Sequence, residues 1–180
     1  DIVTGATNVK KFIAEQKRIP NTVTIGGTTY SSAEFLYLMS QAIYQIGNSN
    51  TNAVSVISGV KEPESPFGDT ISSKELYKAD FITVAKNVAN YIKNNKQAPN
   101  YASSAVGNII YSELVDSFSR ILAFYGSNSN SLPNYVTVTY SSSSSSSSSG
   151  ASGSGLNEKN TIKDLSAYLK SSKNCQVDNS

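Results

Sequence analysis

The sequence predicts a mostly helical fold with short β-hairpins, built from tandem helix–hairpin–helix repeats packed around a shared core. Three observations carry that reading. Apolar residues recur at helical spacing, as in Ala6, Val9, Phe12 and Ile13, which leaves Lys10, Lys11, Glu15 and Lys17 on the solvent side. A Pro20-Asn21 pair and a Thr-, Val- and Ile-rich stretch around Gly26-Gly27 follow, and a Gly-Gly pair admits the positive φ values of a two-residue hairpin turn. The arrangement then recurs at a constant offset. Val88, Tyr91, Ile92, Lys96, Pro99 and Asn100 stand in the places of Val9, Phe12, Ile13, Lys17, Pro20 and Asn21.

Taken in order, residues 2–16 form the first helix, with Gly5 a weak point near its start, and Pro20 ends it. Residues 22–30 form the hairpin. Ser31 then caps a second helix reaching about Ile46, with Glu34 completing a capping box, Tyr30 and Phe35 placed as a hydrophobic staple, and Phe35, Leu38, Met39, Ala42 and Ile46 along one face. The polar stretch from Gly47 to Asn52 is turn-forming, Ala53 to Ile57 alternates weakly as a further strand, and two prolines and a glycine make Lys61 to Asp69 a loop. Ser72, with Glu75 three residues on and Ile71 facing Leu76, reads as the capped start of a helix of about twenty residues. Its apolar line runs through Tyr77, Phe81, Val84, Ala85, Val88 and Ile92. After Pro99, the second hairpin is reduced to Ala102 to Gly107, Ile110 takes the place of Ser31, and a last helix runs from Ile110 to Phe124. Leu132 to Val138 matches the Ile19 to Ile25 junction with no second helix behind it.

These elements divide the chain into a first repeat over 1–46, a connector over 47–71, a second repeat with a long leading helix over 72–124, a partial repeat-like strand segment over 125–140, a Ser/Gly linker over 141–155 and the start of a further domain over 156–180. A lone repeat of about 45 residues buries too little apolar area to stand alone, so the copies are expected to share one core. The serine run from Ser141 has nothing to bury and suits a spacer that tethers one module to another.

Composition narrows the chemistry. Fifteen basic against thirteen acidic residues provide no strong field for nucleic acid or an anionic bilayer, so neither partner is expected. No apolar run approaches the length that spans a bilayer, no secretory leader pattern is read, and membrane insertion is not expected. The chain has no histidine and a single cysteine, Cys175, so zinc ligation and an activated thiolate both lack partners, and no cofactor or metal is expected. Glu34 with Glu113 or Asp116 could in principle form a glycosidase pair, but Glu34 reads as a capping residue and Glu113 is its repeat equivalent. A binding role for a monomer is therefore favoured over catalysis. Eleven tyrosines, with abundant Ser, Thr and Asn, suit a surface that stacks on rings and makes neutral hydrogen bonds.

The helix, Pro-Asn pair, short strands and FLYLM-type helix of residues 2–46 and 80–124 resemble the pseudomurein-binding repeat of methanogenic archaea. The resemblance implies an extracellular, wall-associated module whose ligand is pseudomurein, a polymer of amino sugars, including an N-acetylated aminouronic acid, crosslinked by short peptides. Chemistry alone then nominates Asn21, Asn100 and Asn134 for its amides and hydroxyls, Tyr30, Tyr37, Tyr101 and Tyr135 for stacking, and Lys17 or Lys96 for a uronate carboxylate. The Pro-Asn pair has an equally good local explanation, in which proline ends the helix and asparagine secures the turn. Residues 162–177 are similar to the lead-in of transglutaminase-like cysteine peptidase domains in archaeal proteins with these repeats, including the pseudomurein endoisopeptidases. The alternative to wall binding is a structural or protein–protein adhesion module of an archaeal surface protein.

Overall fold

Local chemistry sets the first half of the chain much as expected. The computed structural model describes residues 1–141; the serine run after Ser141, the segment at 162–177 read as a peptidase lead-in and Cys175 lie outside the described residues. Helix α1 (Ile2–Gln16) starts at Asp1, whose carboxylate accepts the Val3 N–H at 3.0 Å. It ends where Lys17 turns left-handed, with φ of 61°, and its N–H reaches the Ile13 carbonyl at 2.8 Å. Strands β1 (Thr22–Ile25) and β2 (Thr28–Ser31) form an antiparallel hairpin. Gly26 and Gly27 both take positive φ, 56° and 84°, as this turn requires. Helix α2 (Ser32–Gly47) begins with the complete capping box: Ser31 Oγ accepts the Glu34 N–H at 3.1 Å and Glu34 Oε1 accepts the Ser31 N–H at 2.9 Å. Burial is wider than the single expected face. Phe35, Leu36, Tyr37, Leu38, Met39 and Ile43 are all buried, because α2 packs on the two helices that follow as well as on α1.

Two expected elements are absent. Residues 53–57 form no strand; Val54 and Ile57 pack against the core, and the segment is held by the Gln41 side chain, whose Oε1 accepts from Ser55 N at 2.9 Å and whose Nε2 donates to Ser55 O at 2.8 Å. A side-chain amide here takes the place of a partner strand. The helix expected from Ser72 is instead strand β3 (Ile71–Tyr77), and helix α3 (Lys78–Asn95) starts six residues later with no side-chain cap. Ile71 and Leu76 point into the core, and Glu75 receives the Tyr77 hydroxyl at 2.7 Å instead of capping a helix. The strand wins because a partner arrives from the far end of the chain.

That partner is the segment read as a solitary strand. After hairpin β4 (Tyr101–Ser104) and β5 (Gly107–Ile110) and helix α4 (Tyr111–Ser127), strand β6 (Tyr135–Tyr140) pairs antiparallel with β3. Three two-stranded sheets result, β1-β2, β4-β5 and β3-β6. They share one register. The residue after each Pro-Asn pair faces the residue before the next helix: Thr22 opposite Ser31, Tyr101 opposite Ile110, and Tyr135 opposite Tyr77. The asparagine carbonyl accepts from the first residue of that helix each time, Asn21 from Ser32 at 3.0 Å, Asn100 from Tyr111 at 3.1 Å and Asn134 from Lys78 at 2.8 Å. The third copy is thus complete, with β6 and β3–α3 drawn from opposite ends of residues 71–140. All four helices of the described residues and Val136 and Val138 of β6 contribute to one core, which confirms a mostly helical fold with short strand pairs around shared packing.

Two aromatic clefts at the helix to strand junctions

Each helix that runs into a Pro-Asn pair carries an aromatic residue one turn before its end. On α3, Val88 is buried and Tyr91 is exposed; on α4, Ile121 is buried and Phe124 is exposed. The chain then turns through Pro99-Asn100 or Pro133-Asn134 and presents a tyrosine as the first strand residue. Two like clefts result. One, about 430 Å³, is lined by Tyr91, Pro99, Asn100 and Tyr101 with Asn87 and Ser103. The other, about 620 Å³, is lined by Phe124, Pro133, Asn134 and Tyr135 with Lys10 and Arg120. Both volumes fall in the usual range for small-ligand sites, about 300 to 1,000 Å³.

A third ring flanks each strand tyrosine. Phe67 packs against Tyr101 with the rings tilted by 52° and their centroids 4.6 Å apart, and Tyr77 meets Tyr135 edge-on at 5.9 Å. Among the described residues, the large apolar side chains left exposed are Val56 and six aromatics, and these six rings are Tyr91, Tyr101, Phe67, Phe124, Tyr135 and Tyr77. The exposed aromatic surface is therefore concentrated at the two clefts, where it offers ring faces beside amide and hydroxyl groups.

Hydrogen bonds from backbone N–H groups to backbone and side-chain oxygens hold the Phe67 loop in place. Asn100 Oδ1 accepts the Ser65 N–H at 2.9 Å, Asp69 N donates to Asn108 O at 2.8 Å, and Asn108 N returns a bond to Asp69 Oδ2 at 2.8 Å. Gly68 lies so close to β5 that a Cβ there would stand 2.6 Å from the Ile110 nitrogen. The other cleft is buttressed by charge. Arg120 Nη2 lies 3.2 Å from Glu113 and 3.3 Å from Asp116, while its Nη1 donates to Thr137 O at 2.8 Å. Burial, then the nearby Asp116 carboxylate, pushes the Glu113 carboxyl up, against the pull of Arg120. This cluster fastens β6 to α4.

The residues nominated from sequence are distributed unevenly. Asn100 and Tyr101 line one cleft and Asn134 and Tyr135 the other. Tyr37 is only 4% exposed, so its ring belongs to the α2 core and offers no stacking face; its neighbours on α2 are buried on all sides. Tyr30 is half-buried, lies opposite Val23 in the first hairpin and packs against the core. Asn21 is also half-buried at the first junction. Lys17 and Lys96 are exposed, left-handed C-cap residues just beyond α1 and α3, with φ of 61° and 50°, and neither lines the two clefts. Glu34 is committed to structure, since Oε2 also accepts the Gly59 N–H at 2.7 Å. Among the described residues, no group of three or more His, Cys, Asp and Glu side chains is placed to hold a metal, and no helix is long and apolar enough to cross a membrane.

Tyr91, Phe124, Phe67 and Tyr77 were not among the residues nominated for the ligand. A signal for two of them exists: Val88 and Tyr91 map onto Ile121 and Phe124, but one extra residue before Pro133 breaks the alignment with Pro99. Phe67 and Tyr77 have no such pattern, because tertiary packing alone brings them to their tyrosines.

No curated protein and no solved structure matches the chain. A model of the pseudomurein-binding repeat family matches residues 107–138, which run from β5 through α4 and the Pro133-Asn134 turn into β6. A pseudomurein-binding repeat is therefore present at residues 107–138, and it supplies every residue that lines the cleft of Phe124, Asn134 and Tyr135 except Lys10.

Proposed function

We propose that this chain contains a non-catalytic module that holds a larger archaeal surface or wall-acting protein on pseudomurein, outside the cell. The observation that carries the reading is the coincidence of the matched repeat with an exposed cleft whose walls are aromatic rings and amides. Such walls suit a wall polymer: ring faces stack on the apolar side of a sugar, and the Asn134 amide can pair with an acetamido group or a peptide. Lys10 adds positive charge at the same cleft, which favours a uronate carboxylate in the ligand, while Arg120 beside it is held by Glu113 and Asp116. The chain has no histidine to serve as a base, and Glu34, Glu113 and Asp116 are occupied by capping and ion pairing.

Sedimentation with purified pseudomurein sacculi and, in parallel, bacterial murein tests the proposal. The chain is expected to deplete from solution with the first and remain soluble with the second, while the sacculi release no new amino termini or reducing ends. Equal partition with both polymers would leave a structural or adhesion role as the better reading, and release of fragments would make the module an enzyme.

A further inference from the structure

We infer that the cleft between α3 and β4, outside the matched repeat, is a second polymer-binding site, selective for an uncharged amide-bearing sugar unit, and that the first copy has no third such site. The inference rests on the wall-binding reading above and extends it to chain segments that the family match does not reach.

Equivalence is the first support. Tyr91, Pro99, Asn100 and Tyr101 stand to α3 and β4 as Phe124, Pro133, Asn134 and Tyr135 stand to α4 and β6, with the same strand register and the same asparagine carbonyl bond to the next helix. Each strand tyrosine has a flanking ring, Phe67 or Tyr77, contributed by a different part of the chain. A loop residue and a strand residue from unrelated stretches both end up against the tyrosine, which rules out the repeat pattern itself as the source of the third ring.

Chemistry separates the two sites. Among the described residues, no charged side chain lines the α3–β4 cleft; Asn87, Asn100 and Ser103 supply its polar atoms among the rings. Lys10 lines the other, together with Arg120, which is already paired with Glu113 and Asp116. A polymer that contains both neutral and acidic amino sugars can therefore place a neutral unit in one and an acidic unit in the other, and two weak contacts on one rigid unit bind a repetitive surface much more tightly than either alone.

The first copy departs at the residues that matter. Thr22 stands where Tyr101 and Tyr135 stand, so the strand presents no ring. The helix aromatic is covered as well, since the Arg18 guanidinium carbon sits 4.8 Å from the centre of the Phe12 ring.

The test uses the whole chain and purified pseudomurein sacculi, with thermal unfolding recorded for every variant. Tyr101→Ala and Tyr135→Ala are each expected to lower retention about tenfold, and the double variant at least about a hundredfold, through loss of ring contact and then of bivalency. Tyr101→Phe keeps the ring and should retain most of the binding, whereas Thr22→Ala should bind as the parent does. Residual binding by Tyr135→Ala, which relies on the uncharged cleft, is expected to resist added salt; that of Tyr101→Ala should weaken. A parent chain that does not bind sacculi removes the wall-binding reading itself. A parent that binds, with a folded Tyr101→Ala equal to it, leaves that reading intact and overturns the second site. Salt-sensitive residual binding by Tyr135→Ala overturns the uncharged ligand class, and a loss caused by Thr22→Ala overturns the count of two.

Discussion

Glu62 shows at single-residue scale how a docked loop stores a titration. The segment carrying it lies along the turn after α3: Lys61 N donates to Lys96 O at 3.0 Å, Ala98 N to Lys61 O at 2.9 Å and Gln97 Nε2 to Glu62 O at 3.0 Å. Its carboxyl is thereby carried inward against the buried hydroxyl of Tyr111, without ideal hydrogen-bond geometry between them. Burial first, and the charge of Glu34 last, push it from 4.5 to about 7, while the neighbouring Tyr111 hydroxyl and Ala33 backbone N–H pull the other way. A carboxyl raised on folding binds more protons in the native state than in the unfolded one. Its contribution to stability is therefore complete below the unfolded value of 4.5 and is lost as pH rises through about 7. Denaturant unfolding of the parent is expected to show stability falling over that window, by up to about 3 kcal/mol from this group. In Glu62→Gln the fall should shrink, leaving only the part due to Glu113, which is raised likewise. Equal slopes for the two proteins would mean that the Glu62 carboxyl is solvated in solution.

At the scale of an element, Ser31 and Ser72 begin the same Ser-x-x-Glu pattern with opposite outcomes. Ser31 makes both bonds of its capping box and fixes the start of α2. Ser72 is exposed in β3, and α3 begins well beyond Glu75. Ser31→Ala is expected to lower stability by about 1 kcal/mol, the usual value of an N-cap. Ser72→Ala should stay within about 0.5 kcal/mol of the parent, as an exposed strand substitution does. Thermal unfolding of the two variants side by side checks the pair. A larger loss at Ser72 would show that a helix beginning there is populated after all.

At the scale of the molecule, β6 closes the fold. It buries Val136 and Val138, covers β3 and is held to α4 through Arg120 and Thr137. Ending the chain after Leu132 is expected to lower the stability of the whole unit by several kcal/mol, since two buried valines and a strand pair are lost. It should also remove amide exchange protection from residues 71–77, far away in sequence, and it should leave one unfolding transition because all helices share a core. If the shortened chain kept full protection in β3, the β3–β6 pairing would be dispensable for the unit.

The sequence by itself determined the features whose causes are local. The apolar spacing and Pro20 delimit α1, the Gly-Gly pair sets the first hairpin turn, the Ser31-Glu34 box starts α2, and the recurrence of Pro-Asn after a helix marks the junctions where both clefts lie. Asn100, Tyr101, Asn134 and Tyr135 were nominated as ligand contacts on their amide and ring chemistry, and the structure places them along the two clefts. Tertiary structure decided everything that depends on a partner distant along the chain. Ser72 to Tyr77 becomes a strand because β6 offers it hydrogen bonds, and that pairing competes successfully with a local helix start worth only about 1 kcal/mol. Tyr37 is buried because α2 has neighbours on several sides, which its own periodicity does not reveal. Phe67 and Tyr77 reach the strand tyrosines through packing, and the solitary third copy is completed by β3 and α3, because strand pairing satisfies backbone groups irrespective of their order in the sequence.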